Sequence, residues 1–196
     1  HYPQAAVMTG LPDESFIRAD IPMTKREIRA SVVSRLSPAK DAIVYDIGAG
    51  TGSVSVELAM HALYGTVYAV ERTKEGCELI AQNARKFGLD NIDIINASAA
   101  DVIEKLPAAD SVFIGGSGGE LEKIMDIVLK KSPGVHIVIT AVTLETLNDS
   151  VRLMEDKKVD VIDIVQIAVT QIKKRGRYHM LAANNPVFII EGRGNR

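Results

Sequence analysis

The sequence has one cysteine, no tryptophan, no long apolar run and almost no net charge. A single thiol, Cys77, excludes an internal disulfide and suits a reducing cytoplasm, with the side chain packed as a small hydrophobe on a helix. No stretch approaches the ~18 consecutive apolar residues that a membrane helix needs, and no basic-then-apolar leader opens the chain. The expectation is a cytoplasmic protein without a membrane partner. Lys and Arg number 23 against 25 Asp and Glu, a formal charge of −2, so no overall field draws nucleic acid and any anion site must be local. With four Phe, five Tyr and no Trp, platforms for stacking bases are scarce as well. His1, His61, His136 and His179 are scattered without metal-ligand spacing, so no metal site is expected. His136, inside an apolar run, reads as a satisfied core residue. The chain opens His1-Tyr2-Pro3 rather than with methionine, which fits a processed end or the cut edge of a longer polypeptide.

What is present in quantity is patterned hydrophobicity, 46% of 196 residues, enough for one domain with a substantial core. Its focus is Asp46-Ile47-Gly48-Ala49-Gly50-Thr51-Gly52, directly after the apolar run Ala42 to Tyr45 and directly before the apolar stretch Val54 to Met60. That reads as strand, tight glycine turn, helix, the first half of a nucleotide-binding α/β unit. In the dinucleotide fingerprint the third glycine would fall on Ser53, but here it arrives one residue early at Gly52, so the match to a pyrophosphate site is poor. A second strand, Thr66 to Val70, ends in Glu71 about 20 residues past the turn, where a carboxylate can accept from both hydroxyls of a ribose. The Asp-x-Gly-x-Gly-x-Gly turn resembles the first motif of the class I S-adenosylmethionine-dependent methyltransferases. The resemblance implies that Asp46, Gly48, Ala49, Gly50, Thr51 and Gly52 hold the aminoacyl part of that cofactor and Glu71 its ribose.

In chain order, residues 1–22 carry Pro3, Pro12 and Pro22 with little periodicity and read as an arm, leaving 23–196 as a single domain. Thr24 and Glu27 have the spacing of a capping box, with Ile28, Val32, Val33 and Leu36 on one helical face. Thr73 and Gly88 bracket a further helix. Strands are expected at Ile92 to Asn96, Ser111 to Ile114 and Val135 to Ala141, with helices at Asp101 to Leu106, Leu121 to Lys131 and Leu144 to Lys158. Val159 to Gln171 and Asn185 to Ile190 have no helix between them, only the basic connection Lys173-Lys174-Arg175-Gly176-Arg177, so they read as an antiparallel pair. The fold expected is α/β: a Rossmann-like, doubly wound, seven-stranded and mostly parallel sheet with a C-terminal antiparallel hairpin.

Every motif singled out falls at a strand's carboxyl end, where open α/β sheets bind ligands. The loop Asn96 to Ala99 should approach the adenine, although Ser98 stands where many class I methyltransferases carry an aspartate. Ser98 reads equally as an ordinary helix N-cap, with Ala99 offering a backbone amide. The stretch Gly115-Gly116-Ser117-Gly118-Gly119-Glu120 lacks the Pro-Pro-aromatic clamp of amino-group methyltransferases. It leaves room for a broad acceptor, or serves a tight turn only. Ser117 and Glu120 are its only side chains with proton-handling chemistry.

Pro22 to Lys25, the Asp46 to Gly52 turn, Gly115 to Leu121, Thr140 to Thr146 and Asn185-Pro186-Val187 together resemble the decarboxylating precorrin methyltransferases of cobalamin biosynthesis. The resemblance runs from about Leu11 to the C-terminus. It implies S-adenosyl-L-methionine as cofactor, with Thr24 and Gly115 added to its site. It also implies a tetrapyrrole methylated at carbon 15 and decarboxylated at an acetate arm, a homo-oligomer, commonly a tetramer, and fusion to or association with a carbon-5 methyltransferase. Such a substrate bears many carboxylates, and Lys174, Arg175 and Arg177, with Lys173, are the densest cations available; the same run reads as a solvated hairpin tip. Three other functions stay open: RNA methylation, methylation of another small molecule, and a non-catalytic cofactor-binding subunit.

Overall fold

The structure, a computed structural model, describes residues 9–195; His1 and the first eight positions of the expected arm lie outside them. Strand and helix alternate from β1 (Ile43–Ile47), α2 (Ser53–His61) and β2 (Thr66–Glu71), preceded by α1 (Arg26–Leu36), through α3 (Lys74–Lys86), β3 (Ile92–Asn96) and α4 (Ala99–Val102). The order continues with β4 (Ser111–Ile114), α5 (Leu121–Lys131), β5 (His136–Ala141) and α6 (Leu144–Asp156). Four strands then follow without a helix: β6 (Asp160–Ile167), β7 (Thr170–Arg175), β8 (Tyr178–Ala183) and β9 (Val187–Arg193).

Seven strands form one sheet in the order β3-β2-β1-β4-β5-β9-β6. β1 to β5 pair in parallel, and β9 runs antiparallel between β5 and β6. The sheet is the doubly wound, mostly parallel one expected, with chain order reversing between β1 and β4. Strand alternation sends Val44, Val67, Phe113, Val138 and Ile189 to the face covered by α1 and α2. Tyr45, Ile47, Val112, Ile137 and Ile190 point to the face covered by α4, α5 and α6. Both faces are buried, which is why the strands read as continuous apolar runs.

The expected antiparallel pair at the end of the sheet is β6 with β9. The basic connection between them, however, is no loop: Lys173, Lys174 and Arg175 belong to β7, paired with β8 in a separate two-stranded ribbon. Gly176, at φ 60°, and Arg177 form its two-residue turn, the glycine supplying the positive φ such hairpins demand. Backbone pairing closes a ribbon without burying side chains, so polarity gave no sign of it. Three smaller corrections concern helix ends. α1 starts at Arg26 with Lys25 as N-cap and no side-chain cap bond, so Thr24 does not form the expected box. α4 is short and runs into a 3-10 turn, Ile103–Lys105, and α6 stops at Asp156.

Residues 9–22 hold little regular structure but are firmly fastened. The buried Glu57 carboxylate on α2 accepts from Gly10 N (2.7 Å), Leu11 N (2.9 Å) and Arg29 Nε (2.6 Å). Arg29, wholly buried on α1, also donates to Thr24 O and Leu11 O and lies 4.6 Å over the Phe16 ring. A buried ion pair this fully bonded escapes the penalty of unpaired charge.

Candidate active site

The site forms where β1 and β4 separate at their carboxyl ends. Gly115 N and Gly116 N both donate to Ile47 O, at 2.9 and 3.2 Å, so the β4–α5 loop stays beside the glycine turn. The two backbones meet closely: a Cβ on Gly48 (φ 74°) would stand 2.5 Å from Gly116 O. Only glycine permits that approach. Gly48 N and Ala49 N donate to Val70 O, and Gly52 precedes α2 tightly against Ile80 of α3. Pro22 O lies 3.2 Å from the position of a Gly50 Cβ, so the segment bearing Thr24 lies against the turn.

Two carboxylates flank this turn. Glu71 accepts from Gly50 N through Oε2 (2.9 Å) and from the backbone and hydroxyl of Thr73 through Oε1 (2.9 Å each). Asp46 is wholly buried; its Oδ2 accepts from Ser55 Oγ at 2.5 Å, while Oδ1 has no partner. Burial pushes its pKa up to about 7, the Ser55 bonds oppose this, and the charge of Glu71 adds to it. Thr51 Oγ1 is likewise buried without a partner. A pyrophosphate would face two carboxylates here, whereas a ligand with a cationic centre and hydroxyl donors would satisfy them. A groove beside Glu71, about 40 Å³, is lined by Gly48, Glu71, Arg72, Ala99, Gly116 and Ser117, among others.

Ser98 precedes α4 but makes no cap bond; its hydroxyl donates to Glu120 Oε2 at 2.5 Å, joining the β3 and β4 loops. Glu120 is therefore occupied, and Ser117 is among the residues that line the groove. Beyond the β4 loop lies a second cavity of about 200 Å³. A roomier one, about 610 Å³, sits at the amino ends of β4 and β5, lined by Asp41, Asp110, Ser132 and Arg193 among others. No motif of the glycine turn reaches it, and the crevice that α/β sheets use is at the opposite end.

The expected substrate cations stand apart from this cluster. β6 runs parallel to β5, so Ile167 ends at the carboxyl edge and the ribbon rises from the site's side of the sheet. Residues 171–180 are all exposed, and Arg177 folds back on Tyr178, donating to its hydroxyl at 2.8 Å. Sequence reasoning missed several residues that hold the site. Asn83 donates to Thr51 O (2.8 Å) and exchanges bonds with Ile17 N and O, fastening the glycine turn to the N-terminal segment. Arg72 reaches Gly118 O at 3.4 Å, and Ser55 anchors Asp46. The spacing from Asp46 to Ser55 was the one available signal, since a hydroxyl in the first turn after a strand-end acid lies within reach of it.

Among the described residues no cluster with metal-ligating potential occurs, and no helix is long and apolar enough to cross a membrane. A sequence profile described as "Precorrin methyltransferase domain" matches residues 15–192. A Pyrobaculum calidifontis protein named as a probable cobalt-precorrin-6B C(15)-methyltransferase (decarboxylating) is 40% identical over 92% of this chain and 94% of its own. The crystal structure of a precorrin-6y C5,15-methyltransferase from Geobacter metallireducens superposes with TM-score 0.88 at 37% identity, covering 94% of this chain and 97% of that one. That of a precorrin 8W decarboxylase from Methanobacterium thermoautotrophicum does so with TM-score 0.87 at 33% identity, covering 93% and 98%. With a glycine turn, a seven-stranded sheet and a matching sequence over almost its whole length, the chain belongs to the precorrin methyltransferase family.

Proposed function

We propose that this chain methylates carbon 15 of a precorrin-type tetrapyrrole with S-adenosylmethionine and decarboxylates an acetate arm of the same substrate, a step of cobalamin biosynthesis in the cytoplasm. The observation that carries this reading is the bare-backbone loop Gly115 to Gly119, set against the Asp46 to Gly52 turn in a chain so similar to relatives bearing that name. Asp46, Gly48, Ala49, Gly50, Thr51, Gly52 and Gly115 would hold the aminoacyl end of the cofactor, with Thr24 beside them. Glu71 would hold the ribose, and Ser98 and Ala99 the adenine side. The unpartnered Asp46 Oδ1 and Thr51 Oγ1 favour a ligand that brings its own donors and positive charge. When bound, the cofactor supplies an electrophilic methyl group, so a strong base is not needed; the protein's part is to align the acceptor carbon and exclude water.

The cations Lys174, Arg175 and Arg177 would meet the substrate's carboxylates, and Ser117 would be the hydroxyl that passes a proton, with Glu120 setting its loop. The ribbon's exposed Ile172, Leu181 and Met180 would contact other copies of the chain in a homo-oligomer. Association with a carbon-5 methyltransferase fits the double name of the Geobacter relative. Titration calorimetry tests the cofactor assignment: S-adenosylmethionine should bind and NAD should not. Glu71→Ala should weaken the former by roughly 1–3 kcal/mol, because a charged acceptor loses its hydroxyl partners. Unchanged affinity in the variant would move the ribose elsewhere.

A further inference from the structure

The β4–α5 loop divides two cavities. One is the groove against Gly48 and Glu71; the other, about 200 Å³, is lined by Ile114, Leu121, Ile139, Thr140, Val142 and Thr146 together with the loop. Gly116 and Ser117 line both, so a single stretch of glycine-rich backbone is the partition. At roughly 30 Å³ per water molecule, the second cavity has room for about six waters, which suits a short side arm and not a macrocycle. None of its lining residues is charged. Ile114, Leu121 and Ile139 form a buried apolar floor, while Val142, 69% exposed, stands at the rim. Thr143 Oγ1 donates to Thr146 Oγ1 at 3.0 Å, which leaves the Thr146 proton to orient a single acceptor. Arg72, the guanidinium bonded to this loop, meets Gly118 O and lines the other cavity.

Resting on the functional reading above, we propose that this second cavity receives the acetate arm that is decarboxylated, and that its want of a cation is what allows the loss. In the reaction the bond between methylene and carboxylate carbon breaks. Its electron pair stays on the methylene carbon, spread into the conjugated ring, and a proton from water completes a methyl group as CO₂ leaves. A cation on the carboxylate would hold the charge where it starts. An uncharged wall strips solvation from the anion and costs the neutral CO₂ nothing. The thin partition also explains how one bound substrate presents its ring carbon to the cofactor side and its arm to the other.

The test is Val142→Lys, which puts an ammonium at the rim on a side chain that fills no core. Released CO₂ and transferred methyl are counted by mass spectrometry on a decarboxylation-competent precorrin, with Val142→Leu as control. The variant should release at least tenfold less CO₂ per methyl transferred, and methylated, undecarboxylated product should accumulate. Val142→Leu should keep the wild-type ratio. Binding of the precorrin without methyl donor, followed by its visible absorbance, should hold or tighten in Val142→Lys, since the cation attracts the arm. An unchanged ratio, or weakened binding with both reactions falling together, overturns the proposal. Thr146→Lys, at another position of the lining, provides the same reading should the first variant misfold. A wild type that methylates no precorrin overturns the functional reading and this proposal with it, whereas an active wild type with an indifferent variant overturns this proposal alone.

Discussion

Asp46 is a carboxyl group wholly out of water, with one oxygen bonded to Ser55 and the other unpartnered. Its folded pKa of about 7 lies above the ordinary 3.8, so the folded state holds this proton more tightly than the unfolded chain does. Stability from this group is therefore intact below about pH 4 and declines as pH rises toward 7, a loss on the order of 4 kcal/mol once ionised. Asp46→Asn keeps the shape and cannot ionise. Its melting temperature should gain on the wild type's from pH 5 to pH 8 in the absence of cofactor, and parallel curves would show an ordinary carboxyl. Single residues were unevenly legible in the sequence. Asp46 and Glu71 could be found because each closes an apolar run at a strand end, where a charge has no structural excuse. Glu57, Arg29 and Asn83 could not, because a polar residue on a helix reads as a solvent face. Glu57 and Arg29 pair across 28 positions and Asn83 meets Ile17 across 66, so nothing local announces these bonds.

At the scale of elements, the first five strands were legible to within a residue or two and their helices in place and order, with ends off at α1, α4 and α6, since parallel strands buried on both faces leave long apolar runs. The β7–β8 ribbon was not, because nothing in it is buried. Its six residues per strand reach about 20 Å beyond the sheet, at 3.4 Å per residue. Cross-strand pairing puts Lys174 beside His179 on one face, and Lys173 and Arg175 beside Met180 and Tyr178 on the other. Both faces thus carry cations as well as apolar surface. If the cations grip substrate carboxylates, neutralising Lys174, Arg175 and Arg177 together should raise the Michaelis constant for the tetrapyrrole on the order of a hundredfold. The salt dependence should flatten, with cofactor affinity unchanged. Calorimetry and steady-state kinetics on the same triple variant check this; an unaltered Michaelis constant would make the tip a solvated turn.

At the scale of the whole molecule, large exposed apolar side chains gather in the C-terminal strands: Ile172, Met180 and Leu181 on the ribbon, and Val161, Ile162 and Ile164 on the edge strand β6. An edge left unpaired and apolar is a template for a second chain. Sedimentation of Ile172→Ser with Leu181→Ser should show a lighter species than the wild type, and equal masses would place any contact between copies elsewhere. The sheet itself has a history written into its strand order. β9, the last strand in the sequence, is the one that lies between β5 and β6, and its Glu191 receives both His136 Nε2 (2.9 Å) and Arg35 Nη1 (2.6 Å). β1 to β5 can pair as they are made, but β6 has no neighbour and Arg35 and His136 no shared carboxylate until β9 is present. Closure of this edge is therefore tied to a single element: until β9 pairs, the five parallel strands end in an open edge, and its docking joins β6, Arg35 and His136 to the sheet together.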